Sequence, residues 1–290
     1  MRLFVVILSV MFFSCREMTK DTDRSKLLGY DYRLFENTPG WNLAKAVRDQ
    51  DSAKIQRLFL EDKVDLNYQE PKFGNTVLML AIGNDAYRSV EVLLKLGADP
   101  NLKNKSAGYS AMHDAAIAPT TRYVNILLKY KGNPNIVSGG DYRDTIAQKT
   151  PLNLAITYSD EKNFPKVRSL VQAGADVNYY WKGYIYSPGS PLSDAVSQYK
   201  FDIALYLLEQ GADYNTIMYK TVDNDSIFIL ASLRRKIVDI DSREYQFKRQ
   251  VISFLKNRGL DYDKEPIPEF IMRDIMRRYP EKWKEYAKSY

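Results

Sequence analysis

Chemistry in this chain would have to come from very few side-chain types. Of the 290 residues, one is a histidine, His113, and one is a cysteine, Cys15. A histidine base needs a nucleophile and an orienting acid beside it. A zinc site built from Cys and His needs four ligands, more such residues than the sequence contains. Neither the Gly-x-Gly-x-x-Gly nor the Gly-x-x-x-x-Gly-Lys-Ser/Thr phosphate cradle occurs. The carboxylates that stand out, Asp99, Asp176 and Asp213, each follow an alanine and precede an asparagine by two positions. Such recurrence at turns reads as backbone capping by a short acid. These residues predict no cofactor, no metal and no catalytic centre. A carboxylate pair assembled from distant positions, as in glycoside hydrolysis, is the one arrangement that spacing does not address.

The recurring acids belong to longer phrases, and these define the elements that carry them. Leu93-Leu-Lys-Leu-Gly97-Ala-Asp-Pro-Asn101 is followed by Leu127-Leu-Lys-Tyr-Lys-Gly132-Asn-Pro-Asn135. Two further copies are Leu170-Val-Gln-Ala-Gly174-Ala-Asp-Val-Asn178 and Leu207-Leu-Glu-Gln-Gly211-Ala-Asp-Tyr-Asn215, with degenerate versions at Leu58 to Asn67 and Phe254 to Tyr262. A second phrase precedes each copy: Thr76-Val-Leu-Met79, Ser110-Ala-Met-His113, Thr150-Pro-Leu-Asn153, Ser190-Pro-Leu-Ser193 and a decayed Ser226-Ile-Phe-Ile229. Ser or Thr before Pro is a helix N-cap followed by a residue with no amide proton to lose. The glycine falls where a helix ends in a left-handed residue. Each unit therefore reads as helix, turn, helix, loop, and no unit can bury its apolar face alone.

These phrases resemble the ankyrin repeat, with its Thr-Pro-Leu-His start and its Gly-Ala-Asp-x-Asn after the second helix. The resemblance implies an all-α solenoid of about six helix-turn-helix units between about Trp41 and Tyr262. It also implies a structural, backbone-bonding role for His113. The phrase starts are 34, 40, 40 and 36 residues apart, against a family period of about 33, so long hairpin-like loops are expected. The largest insertions are Val137 to Lys149, Tyr179 to Gly189 and Lys236 to Glu244. The segment Glu269 to Tyr290 reads as a final helix with apolar residues at helical spacing. It either caps the stack or lies on an anionic membrane surface. The domain expectation is 1–14 signal peptide, 15–37 lipidated cysteine and tether, 38–265 repeats and 266–290 cap.

The first residues run from a basic start through the apolar stretch Leu3 to Phe13 to Ser14, in the order of a secretory signal peptide. The apolar run is too short to span a bilayer as a helix. Phe12-Phe13-Ser14-Cys15 resembles a bacterial lipobox, which implies acylation at Cys15. A plain signal peptide with an incidental cysteine is the alternative. Arg16 to Lys26 is polar and charged, the composition of a tether. The expected location is thus a bacterial envelope, lipid-anchored to a membrane, with a secreted or periplasmic protein as the alternative. Residues 15–231 carry 26 basic and 26 acidic side chains, and residues 232–290 carry 15 and 10. The basic excess lies at the end of the chain with no base-reading motif, which argues against nucleic acid.

The resemblance implies binding of a protein partner through a concave face and loops, without turnover. An immunity or inhibitor protein against a toxin or enzyme, and a membrane-surface binder using the basic terminal helix, are the other readings. No small-molecule substrate is expected. The projecting loops would be about Gln69 to Gly74, Asn101 to Gly108, Asn135 to Lys149, Asn178 to Gly189 and Asn215 to Asp225. The fourth is the most aromatic, with Tyr179, Tyr180, Trp181, Tyr184 and Tyr186, residue types that dominate interface hot spots. Either these rings meet a partner, or the insertion folds back and packs them on neighbouring loops. Tyr109, Tyr142, Arg143 and Tyr219 are further candidates on that side.

Overall fold

The computed structural model describes residues 24–139, 148–158, 164–181 and 189–290. Fourteen α-helices lie among them, twelve arranged as six successive pairs. The pairs are α1 Trp41–Arg48 with α2 Ser52–Leu60, α3 Val77–Gly83 with α4 Tyr87–Lys95, and α5 Ala111–Ile117 with α6 Arg122–Lys129. They continue as α7 Pro151–Thr157 with α8 Phe164–Gln172, α9 Pro191–Ser197 with α10 Phe201–Glu209, and α11 Ile229–Arg234 with α12 Arg243–Lys256. Odd-numbered helices pack on one another in one row and even-numbered helices in a second, with one core running through both. The two rows differ as their sequences require. Helix α5 buries Ala111 through Ala116 without a break, being walled in by α3 and α7. Helix α6 buries Tyr123, Val124, Ile126 and Leu127 and exposes Arg122, Asn125 and Lys129, a one-sided outer helix.

The expected punctuation holds at most starts and stops. Thr76, Ser110, Thr150 and Ser190 are the N-caps of α3, α5, α7 and α9. Gly97, Gly174, Gly211 and Gly259 adopt positive φ of 99°, 88°, 88° and 88° after their helices. The second copy of the glycine phrase departs from this. There Lys131 takes the left-handed turn at φ 64°. Gly132 sits where its neighbours have alanine, and a Cβ on it would lie 2.9 Å from the Leu127 carbonyl oxygen. The decayed start at Ser226 is also displaced. Ser226–Ile227 form β2, paired antiparallel with β1 (Tyr219–Lys220), and α11 begins two residues later, with Phe228 as its uncapped N-cap.

Both ends of the stack are covered. The folded part begins before residue 38, since Leu27, Tyr32, Leu34 and Phe35 are buried in the main core; the tether expected through residue 37 gives way to packed chain by Leu27. At the other end the single expected helix is two, α13 Glu269–Arg278 and α14 Trp283–Ser289. Pro280 disfavours helical geometry at Tyr279 and breaks the run. Ile271, Ile275, Tyr286 and Tyr290 form a small second core with Ile237, so the apolar side of this segment covers the sixth pair. That is the capping role; Phe270 and Met276 stay exposed on the other side. Among the described residues no helix is long and apolar enough to cross a membrane.

Candidate functional site

The loops that join successive pairs are bonded to one another, and they form one continuous strip beside the odd-numbered helices. The repeated Asp and Asn do this. Asp99 Oδ1 accepts from the Asn101 amide, Asp176 Oδ1 from Asn178 and Asp213 Oδ1 from Asn215, all at 2.8 Å. Asn101, Asn135 and Asn178 then reach the next unit. Asn101 donates to the Lys131 carbonyl (3.0 Å) and accepts from the Asn133 amide (2.8 Å). Asn135 bonds the Gly174 carbonyl (2.8 Å) and the Asp176 amide (2.7 Å), and Asn178 bonds Gly211 and Asp213 likewise. The carboxylates that drew attention in the sequence are thus committed to turn geometry. Among the described residues no group of His, Cys, Asp and Glu is placed to hold a metal.

The loop tips are tied as well. The buried carboxylate of Glu70 accepts from the amides of Lys72, Phe73 and Asn75, which closes the first finger. The Lys105 amide donates to Phe73 O (2.8 Å), Gln69 Nε2 to Lys103 O (2.8 Å) and Gly139 N to Ala107 O (2.9 Å), so fingers one to three are stitched in series. Gly108 lies so close to the third finger that a Cβ would fall 2.0 Å from Gly139 O. His113 contributes from below. Its Nδ1 accepts from the Ser110 amide at 3.0 Å, which puts the proton on Nε2, and that nitrogen donates to Lys149 O at 3.1 Å. Burial pushes its pKa down to about 4, so it serves as a neutral cross-brace.

On this framework Trp181 is buried, and it pairs with Gly189 across a two-bond bridge. Lys149 Nζ lies 4.4 Å from the centre of its ring and bridges Asp194 at 3.1 Å, while Asn153 Nδ2 donates to the same carboxylate at 2.9 Å. Of the two expectations for Trp181, folding back onto a neighbouring finger is the observed one. It is a structural anchor, and as a partner-contact candidate it is withdrawn. Tyr179, Tyr180, Tyr109 and Tyr219 are half-buried and keep part of their rings at the surface. Cys15, Tyr142, Arg143, Tyr184 and Tyr186 lie outside the described residues.

Three surface features went unforeseen. Residues 25–30 run along the first finger, held by Lys72 Nζ to the Ser25 and Leu27 carbonyls, by Asn75 Nδ2 to Gly29 O and by Asn84 Nδ2 to Tyr30 O. Tyr30 lies flat on Gly83, where a Cβ would clash with its ring, and its hydroxyl donates to Asp114 Oδ1 at 2.9 Å. Asp114 is the second feature: burial raises its carboxyl to about 7 against the pull of the Tyr30 bond. Tyr158, at the end of α7, is the third, 61% exposed. The sequence signal was an acid directly after the start phrase, in an otherwise apolar helix, at Asp114 and again at Asp194.

A family model for ankyrin repeats (3 copies) matches residues 43–138, the stretch that spans the first three helix pairs. Residues 43–138 therefore carry ankyrin repeats. A fowlpox virus (strain NVSL) ankyrin repeat protein is 28% identical over 190 residues, covering 64% of this chain and 52% of the viral protein. Ankyrin repeat and SOCS box protein 6 of Homo sapiens is 27% identical over 230 residues, 76% of this chain and 51% of the human protein. The Pongo abelii protein of the same name matches to the same extent. The chain spans about half the length of the curated relatives it matches. The same helix-pair plan continues beyond the matched stretch in α7 to α12, with capped starts at α7 and α9 and left-handed glycine stops at Gly174, Gly211 and Gly259.

Proposed function

We propose that this ankyrin-repeat chain is a binding module that engages a protein partner through its stitched loop strip and the adjoining ends of the odd-numbered helices, with no turnover. The strip carries the reading. A surface whose backbone is already hydrogen-bonded from finger to finger loses little conformational freedom on association, and preorganisation of this kind favours binding. The half-buried tyrosines add rings with hydroxyl edges, side chains suited to contact surfaces. Repeat stacks use such extended faces for recognition.

The reading includes a location: the lipobox-like Phe12-Phe13-Ser14-Cys15 supports acylation at Cys15 and tethering in a bacterial envelope. Metabolic labelling with a fatty acid is expected to mark the wild type and leave Cys15→Ala unlabelled; label on neither form removes the anchor. For the face, affinity capture from envelope extract is expected to recover a protein partner with the wild type. Recovery should fall with Tyr179→Ala, Tyr180→Ala and Tyr219→Ala combined. Equal recovery by both forms would move the contact away from the strip.

A further inference from the structure

The fifth residue of the start phrase is aspartate in two units, and the two sites differ in one respect. At Asp194 the carboxylate holds the ammonium of Lys149, which in turn lies over the Trp181 ring at 4.4 Å. Carboxylate, cation and aromatic face are all supplied by the chain. Asp114 is 7% exposed, Tyr30 bonds it and Tyr109 lies nearby, yet no cation pairs with it among the described residues. Tyr30 donates to Oδ1, and among the described residues the carboxylate forms no ion pair. Tyr109, stacked on His113 at 5.1 Å, is near enough to feel the Asp114 charge and the Tyr158 phenol. Tyr30 and Tyr158 are 44% and 61% exposed, so the cluster opens to solvent.

We infer that the Asp114 cluster, walled by Tyr30 and Tyr109 with Tyr158 beyond Tyr109, is a receptor for a basic side chain, lysine or arginine, of the protein partner. The inference rests on the binding reading above and specifies the chemistry of one contact within it. An ammonium or guanidinium placed against the carboxylate would complete the arrangement that Lys149 completes at Asp194. It would gain a charge-assisted hydrogen bond and the faces of partly desolvated rings. A neutral or acidic side chain would gain neither and would leave the carboxylate buried and unpaired.

The test uses the full chain and capped pentapeptides with a central arginine, lysine or citrulline between glycines, followed by NMR at neutral pH. The arginine and lysine peptides are expected to shift the amide signals of α5 and the ring signals of Tyr158 saturably, and the citrulline peptide is not. Asp114→Asn and Tyr158→Ala should each weaken the effect by about fivefold or more. The exposed control Asp223→Asn should leave it unchanged. Tyr158→Ala guards against a folding defect, since that ring is exposed and its loss leaves the core intact. A response equal for citrulline, or undiminished in both variants, overturns the inference. Tighter binding of tetramethylammonium than of either basic peptide would overturn the side-chain assignment in favour of a small organic cation. If the wild type captures a protein partner and Asp114→Asn captures it equally, this contact fails while the binding reading stands; loss of capture with the strip variants tests that reading separately.

Discussion

His113 and Asp114 are neighbours whose burial acts on stability in opposite directions. His113, with its pKa lowered to about 4 by desolvation, disfavours its charged form in the fold. Its contribution is present above the unfolded value near 6.5 and is lost as pH falls toward 4. Asp114, raised to about 7 by desolvation, disfavours its own charge. Its contribution is complete below the unfolded value near 3.8 and is lost as pH rises through 7. At about 1.36 kcal/mol per pKa unit, the upper bounds are about 3 and about 4 kcal/mol. The two slopes nearly cancel between pH 4 and 6.5, so the wild type should be flat there. His113→Asn, which copies the Asn153 cap of α7, is expected to unmask a loss of stability with rising pH. Asp114→Asn is expected to unmask a gain with rising pH. Urea titrations across this window read both, and parallel profiles for the three proteins would refute the burial account. Of these two residues the sequence revealed the histidine, because its phrase repeats. Asp114 acquires meaning only when Tyr30, 84 positions earlier, lands on it.

At the scale of the element, the repeated phrase predicts more than helix ends. Asn135 donates to Gly174 O and accepts from the Asp176 amide, two bonds between units. Asn135→Ala should therefore cost about 1–2 kcal/mol by chemical denaturation. Asn215, its counterpart in the fifth copy, makes no side-chain bond to the sixth pair among the described residues, and Asn215→Ala should change stability by under about 0.5 kcal/mol. Similar values for both would mean the ladder is not the source. Lys131 holds a left-handed turn that its relatives give to glycine. Lys131→Gly is expected to stabilise by about 1 kcal/mol, visible as a raised Tm. Capping was readable at α3, α5, α7 and α9, and the left-handed glycine at Gly97, Gly174 and Gly211, because both depend on local backbone geometry. The start of α11 was misread by two residues, since a β1–β2 hairpin absorbs Ser226 and pairing across a loop leaves no local signature. The break between α13 and α14 was readable in principle from Pro280.

The whole molecule is a stack in which each pair contacts chiefly its neighbours, so its stability is approximately a sum over units and interfaces. The terminal cover matters accordingly. Tyr290 donates to Arg234 O at 2.8 Å and lies over Lys248, whose pKa burial lowers well below the lysine range. Deleting residues 269–290 is expected to expose Ile237 and Lys248 and to let α11 and α12 open, with α3 to α8 unaffected. Hydrogen exchange should show faster amides in the sixth pair alone; uniform acceleration would indicate a single cooperative unit. Architecture at this scale was the most legible part of the sequence, because periodicity is repeated information. The proposed binding surface was the least, because it depends on which loops meet. One arrangement bears on how the protein is handled. Ser25 and Leu27 are pinned to Lys72 in the first finger, so this stretch lies at the rim of the proposed binding face. A bulky group attached at the exposed Ser25 would therefore shade the approach of a partner to that end of the face.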